Sequence, residues 1–106
     1  MAWTYLIIAG LLEVVWAYFM KQSAGFTRLW PSVATLGFMG VSFALLAVAM
    51  RSLPMGTAYT VWTGIGAVGA FIVGAVLLQE HVSLWRVLAA GLIIAGIVLM
   101  RLAPGQ

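Results

Sequence analysis

The chain has no cysteine, one histidine and only two acidic residues, Glu13 and Glu80, against five lysines and arginines. Without cysteine, disulfides and thiolate metal sites are excluded. One imidazole and two carboxylates do not make a metal site within one subunit, so neither a metal nor a cofactor is expected. Charged side chains form 7% of the 106 residues, and 65% are hydrophobic. A soluble domain is excluded by that composition. The net charge of +3 is too small and too scattered for a nucleic-acid surface, so no nucleic-acid partner is expected. There is also no nucleophile–base pair, metal cluster or nucleotide loop, which argues against an enzyme.

What the chain does have is long apolar runs, and a mean hydropathy of +1.17. A bilayer-spanning helix needs about 20 such residues. The runs predict an all-α integral membrane protein, with a single four-helix transmembrane domain over 1–106 and helices near 2–20, 30–50, 55–78 and 84–102. The first run lacks a basic leader and a small-residue cleavage site and carries Glu13, so a permanent helix is expected there rather than a signal peptide. Gly25 suits the first turn, Pro31 the opening of the second helix, and Lys21 the end of the first, where the helix dipole favours a cation. Connections this short predict sequential helices as antiparallel neighbours.

The flanking charges scarcely choose an orientation. Arg51 and Arg101 fall on one side, and Lys21, Arg28 and Arg86 on the other. A balance of two against three gives the positive-inside rule little to act on. Insertion in both orientations, giving two oppositely oriented copies, is one reading; a single fixed orientation is the other.

Glu13 is the only charge between Met1 and Met20. A carboxylate at that depth costs at least ~2.5 kcal/mol, so a chain keeps one mainly when it has a task. No other span supplies a lysine or arginine partner. Trp16 follows Glu13 by three positions on one helix face, and Trp62 follows Tyr59 by the same spacing. These aromatics lie inside their spans, whereas Trp3, Trp30 and Trp85 fall at span ends, where aromatic belts meet lipid headgroups. Gly64 and Gly66 are candidates for a bend in the third helix. Gly91, Ala95 and Gly96 form a small-residue pattern suited to helix packing between subunits.

Four short helices enclose a gated, water-filled site poorly, so a unit of two or more chains follows. A symmetric dimer brings two Glu13 carboxylates towards one cavity. Carboxylates close together in a poorly solvated place hold protons more readily than in water. They can then exchange those protons for a cation, since the same oxygens cannot bind both well at once. The indoles of Trp16 and Trp62 and the hydroxyls of Ser42 and Tyr59 are candidates to line the site and orient the carboxylates. Planar guanidinium pairs bidentately with carboxylate and stacks on aromatic rings. A quaternary ammonium has no N–H to donate and gains less from such a site. The residues alone also leave a small ion channel, or a subunit that only packs against another membrane protein, as rivals of a different class.

Three segments carry a family resemblance: Gly10-Leu-Leu-Glu-Val-Val-Trp16, Lys21-Gln-Ser-Ala-Gly-Phe-Thr27 and Leu53-Pro-Met-Gly-Thr-Ala-Tyr-Thr-Val-Trp-Thr-Gly-Ile-Gly66. With them the chain resembles the small multidrug resistance transporters over its whole length, and most closely their guanidinium exporter subtype. Trp16 and Thr63 point to that subtype; relatives that export polyaromatic cations carry a small residue and a serine there. Thr60 departs from the pattern, standing where alanine is usual. The resemblance implies an antiparallel, dual-topology homodimer in a bacterial inner membrane, working by alternating access against protons. It implies Glu13 as the proton- and substrate-binding residue, with Trp16, Ser42, Tyr59 and Trp62 completing the site and Gly64–Gly66 as the bend. Guanidinium-type cations, protons, membrane lipid and a second copy of the chain are the implied partners, and a polyspecific quaternary ammonium exporter of the same family is the alternative.

Overall fold

The computed structural model describes residues 1–103. They form four helices: α1 (Ala2–Gln22), α2 (Leu29–Ala49), α3 (Met55–Leu77) and α4 (Leu84–Leu102). Each is long and apolar enough to cross a membrane. The chain is a multi-pass membrane protein, and its charged residues other than Glu13 fall at helix ends or in connections.

Local sequence explains the ends. α1 closes with Lys21 in its last turn, then enters a turn in which Ala24, Gly25 and Phe26 all take positive φ, at 50°, 76° and 65°. Ala24 and Phe26 adopt this left-handed region at a cost that glycine avoids. Ser23 holds the turn: its hydroxyl donates to the Met20 carbonyl at 2.6 Å and accepts from the Phe26 N–H at 3.1 Å. Pro54 precedes α3 in extended conformation, and the Ser83 hydroxyl caps α4 by accepting from the Arg86 N–H at 3.3 Å.

The expectation that sequential helices are neighbours holds fully for α1 with α2 and for α3 with α4, and only in part for α2 with α3. α2 and α3, joined by a short connection, meet only sparsely; α1 packs broadly against both, and α4 contacts α3. The cause lies in the side chains between them. Gly10, Gly66 and Gly69 let α1 and α3 approach closely, whereas Phe43 and Trp62 meet between α2 and α3 and prop the backbones apart. The result is a slab with extents of 44 × 34 × 16 Å. Its buried apolar residues, Leu6, Ala9, Leu46, Ala49, Ala58, Val61 and Trp62, gather where α1 begins, α2 ends and α3 begins. No residue of α4 is buried.

Candidate functional site

Glu13 lies mid-span on the face of α1 that meets α3. A Cβ at Gly66 would overlap its carboxyl group, so the absence of a side chain there lets Glu13 lie against the α3 backbone. One turn further along, Gly69 makes the same room for Val14, while a Cβ at Gly10 would come within 2.7 Å of Ile65. Gly64 serves the other neighbour: a Cβ there would approach Ile97 of α4 at 2.9 Å. Two positions on a helix differ by about 200°, so this pair of glycines admits one helix on each side of α3. α3 runs as unbroken helix through both.

Ser42 is fully buried. Its hydroxyl donates to the Ala9 carbonyl at 2.7 Å and accepts from the Trp62 indole N–H at 3.0 Å. One hydroxyl thereby joins α1, α2 and α3, at the carbonyl one turn before Glu13. Its only proton is committed to Ala9, so in this conformation Ser42 and Trp62 bond to each other and not to Glu13. Two buried polar atoms have no hydrogen-bond partner among the described residues: Glu13 Oε1 and Trp16 Nε1. An acceptor and a donor are left open on one face of α1. Buried polar groups are nearly always satisfied, so the exceptions call for an explanation.

The aromatic side chains form a continuous train. Trp16 meets Phe43 edge-on with centroids 6.2 Å apart, Phe43 meets Trp62 at 5.5 Å, and Trp62 meets Tyr59 at 5.6 Å. Phe43 links the two tryptophans, and sequence reasoning missed it. Its signal, an aromatic beside Ser42, is too ordinary in a membrane helix to stand out. Tyr59 is half-exposed and also lines a cavity of about 440 Å³ between α3 and α4, with Gly64 and Gly96 among its other walls. Gly91 and Ala95 are exposed, and nothing lies within 4 Å of a Cβ placed at Gly91 or Gly96. No group of three or more potential metal ligands occurs among the described residues.

The family model described as "Small Multidrug Resistance protein" matches residues 1–93. A protein of Yersinia pseudotuberculosis named "Guanidinium exporter" is 62% identical over 103 residues, covering 97% of this chain and 99% of its own length. Proteins of the same name from Citrobacter freundii and Salmonella typhimurium are 59% and 56% identical, each with 97% of this chain and 98% of its own length covered. With four membrane-crossing helices, a family match that reaches into the last of them and relatives aligned over 97% of its length, the chain belongs to the small multidrug resistance family, multi-pass proteins of the inner membrane.

Proposed function

We propose that this chain exports guanidinium and small substituted guanidinium ions in exchange for protons, working as an antiparallel, dual-topology homodimer by alternating access. The observation that carries the reading is the pair of unpartnered polar atoms at mid-span, Glu13 Oε1 and Trp16 Nε1. An acceptor left open at that depth suits a ligand that donates N–H groups. The names of relatives up to 62% identical support guanidinium as that ligand.

The chemistry follows from competition. Either protons or a cation neutralise the Glu13 carboxylates of the two subunits, and each excludes the other. A guanidinium ion offers N–H donors in its own plane to carboxylate oxygens and its faces to Trp16 and Trp62. The Ser42–Trp62 bond holds one tryptophan in place, and the edges of Phe43 set its separation from the other. Trp16 retains an indole proton to orient a carboxylate, and Tyr59 closes the outer end of the train. The exposed small residues of α4, Gly91, Ala95 and Gly96, receive the second copy. Bending of α3 at Gly64–Gly66 distinguishes the two subunits and alternates between them. The neighbours that fit against these glycines supply the two rigid bodies on which such a bend acts.

The test is transport by purified protein reconstituted into liposomes, read by solid-supported membrane electrophysiology. Guanidinium should evoke proton-coupled currents that bulky tetra-alkylammonium ions do not. A pH gradient alone should drive concentrative guanidinium movement, which a channel would not perform. Glu13→Gln should lower the coupled flux by more than about 100-fold, beyond what uniform loss of binding at one contact produces. Proton-driven guanidinium transport retained in Glu13→Gln would sink the mechanism.

A further inference from the structure

The chain has two acidic side chains, and each lies over a glycine of α3. A Cβ at Gly66 would overlap the carboxyl group of Glu13, and a Cβ at Gly74 would overlap that of Glu80. The approaches of Gly10 to Ile65, Glu13 to Gly66 and Val14 to Gly69 advance together, so α1 and α3 run parallel. Eight residues separate Gly66 from Gly74, and eight separate Glu13 from Lys21. Both intervals are about 12 Å at 1.5 Å per residue, so Lys21 at the end of α1 stands level with Gly74. Between them lies a cavity of about 160 Å³, walled by Val14, Tyr18, Lys21, Gly74 and Glu80 among others. It extends the α1–α3 groove from the residue beside Glu13 out to the membrane face.

The place of Glu80 calls for a cause. Its carboxylate folds back over the C-terminal end of α3, where the helix dipole repels negative charge. The backbone is committed to putting it there. Gln79 takes φ 54°, a left-handed conformation that costs any residue with a side chain, and the Glu80 N–H donates to the Gly74 carbonyl at 2.9 Å. A carboxylate so placed needs a cation to answer it. Lys21 shares the α1-side cavity with Glu80, and Arg86 shares a second cavity of about 180 Å³ on the α4 side, together with His81. Arg28, the remaining cation of this face, lines neither. Among the described residues Glu80 forms an ion pair with neither Lys21 nor Arg86, and so is open to both.

We propose that Glu80 is a positioning residue for transport, whose carboxylate pairs with Lys21 when the α1–α3 groove is shut at this membrane face and with Arg86 when it is open. This role rests on alternating access at the Glu13 site, and Glu80 touches neither the proton nor the cargo there. A bend at Gly64–Gly66 swings the rest of α3, with Gly74 and the turn behind it, relative to α1. Arg86 lies six residues beyond Glu80, on the helix that packs against α3, and travels with it. The bend therefore changes the distance from Glu80 to Lys21 and leaves the distance to Arg86 nearly constant. Shutting the groove brings in Lys21 as a competitor, and opening it returns the carboxylate to Arg86. In two oppositely oriented copies, each subunit holds one arrangement, and the two exchange when access alternates.

The lack of native cysteine supplies the experiment, because the double variant Lys21→Cys/Glu80→Cys carries only two thiols. Copper–phenanthroline oxidation of the reconstituted protein should join them within one chain, as a disulfide forms where Cα atoms come within about 7 Å. Guanidinium-evoked currents should then fall at least about tenfold and return on reduction, while the guanidinium Kd stays within about threefold. Glu80→Gln and Lys21→Gln should each lower the maximal current roughly threefold with Kd unchanged, the scale of an exposed ion pair. The reversed pair Lys21→Glu/Glu80→Lys should recover most of that loss. Arg28→Gln shifts the charge balance across the membrane as Lys21→Gln does, and should leave the currents unchanged. Four results would each overturn the proposal: no cross-link, a cross-link without effect on transport, a reversed pair no better than Lys21→Glu alone, or an equal loss in Arg28→Gln. Absence of wild-type currents would overturn the transport function itself, whereas normal wild-type currents with any of those four results overturn only the role of Glu80.

Discussion

α3 is held on both sides by glycine, and the two contacts could hardly differ more. Towards α1, Gly66 and Gly69 bring a carboxyl group and a valine against the helix backbone, beside a hydrogen-bonded node and two open polar atoms. Towards α4, Gly64 admits isoleucine side chains, and the surroundings are apolar and incompletely filled. Both arrangements use small residues for close approach, the common device of helix packing in lipid. On one side the closeness places polar groups where lipid cannot solvate them, which is the requirement of a site. On the other it only fastens a helix whose remaining surface stays uncovered within a single chain. A glycine in a membrane helix thus takes its meaning from the residue that fills its space.

Filling the α1–α3 contact, and trimming α4 at a position away from α3 as the counterpart, separates the two sides most sharply. Gly66→Val places its side chain where the Glu13 carboxyl lies and should reduce guanidinium currents by about 100-fold, the scale expected when a binding group is displaced by about 1 Å. Leu92→Ala, on an α4 position that is 74% exposed, should leave currents within about twofold. Cross-linking of the detergent-purified dimer controls for assembly. Equal losses from the two substitutions would mean that the α1–α3 contact has no special relation to transport.

The sequence made some of this legible and hid the rest for physical reasons. Four spans could be read because the length of an apolar run is set by bilayer thickness. Glu13 stood out because a lone charge at that depth is costly. Gly64 and Gly66 stood out as a bend, yet their spacing already placed them on opposite faces of α3, where each makes room for a different helix. Hydropathy has no direction, so nothing in it showed that α3 would pack on α1 and meet α2 only sparsely. The acceptor for the Ser42 proton, the Ala9 carbonyl, is 33 residues away in sequence and belongs to a backbone that every residue shares. Phe43 was invisible for a similar reason: its role comes from two partners on different helices.

The α1–α3 side should also carry all of the pH dependence of binding. If protons and guanidinium compete for the Glu13 oxygens, the apparent Kd rises as pH falls, by about tenfold per pH unit for each proton displaced while the free site is protonated. At higher pH, where no proton is left to displace, the Kd becomes independent of pH. Isothermal titration in detergent from pH 6 to pH 9 reads both limbs, and the proton uptake or release in buffers of different ionisation enthalpy counts the protons. A Kd that is flat across the whole range would separate guanidinium from the carboxylates. Glu80→Gln, at the α3–α4 turn, should leave the profile where it is.

The node joining three helices should matter next. Ser42→Ala strips the Trp62 N–H of its acceptor and removes the donor to Ala9 in a buried place, a loss of about 1–3 kcal/mol. Phe43→Leu removes two edge contacts worth about 0.5–1.5 kcal/mol each beyond burial. The two ranges coincide at about 1–3 kcal/mol, and what should make Ser42→Ala the more destabilising in thermal unfolding followed by tryptophan fluorescence is the buried indole N–H it leaves without an acceptor. The reverse order would place the rigidity of the site in aromatic packing rather than in the hydroxyl.

The smallest effect belongs to the one tie that reaches across the molecule. α1 and α4 do not approach each other closely along their backbones, yet the Arg101 guanidinium sits over the Trp3 ring at 5.1 Å from its centroid. An exposed cation–π contact of this kind contributes about 0.5–1 kcal/mol. Arg101→Gln and Trp3→Leu should each lower stability by about that amount. The double variant should lose clearly less than the sum, because either change alone already removes the contact. Full additivity would show that α4 depends on α3 alone for its place, and that the cation over the ring contributes nothing to holding it.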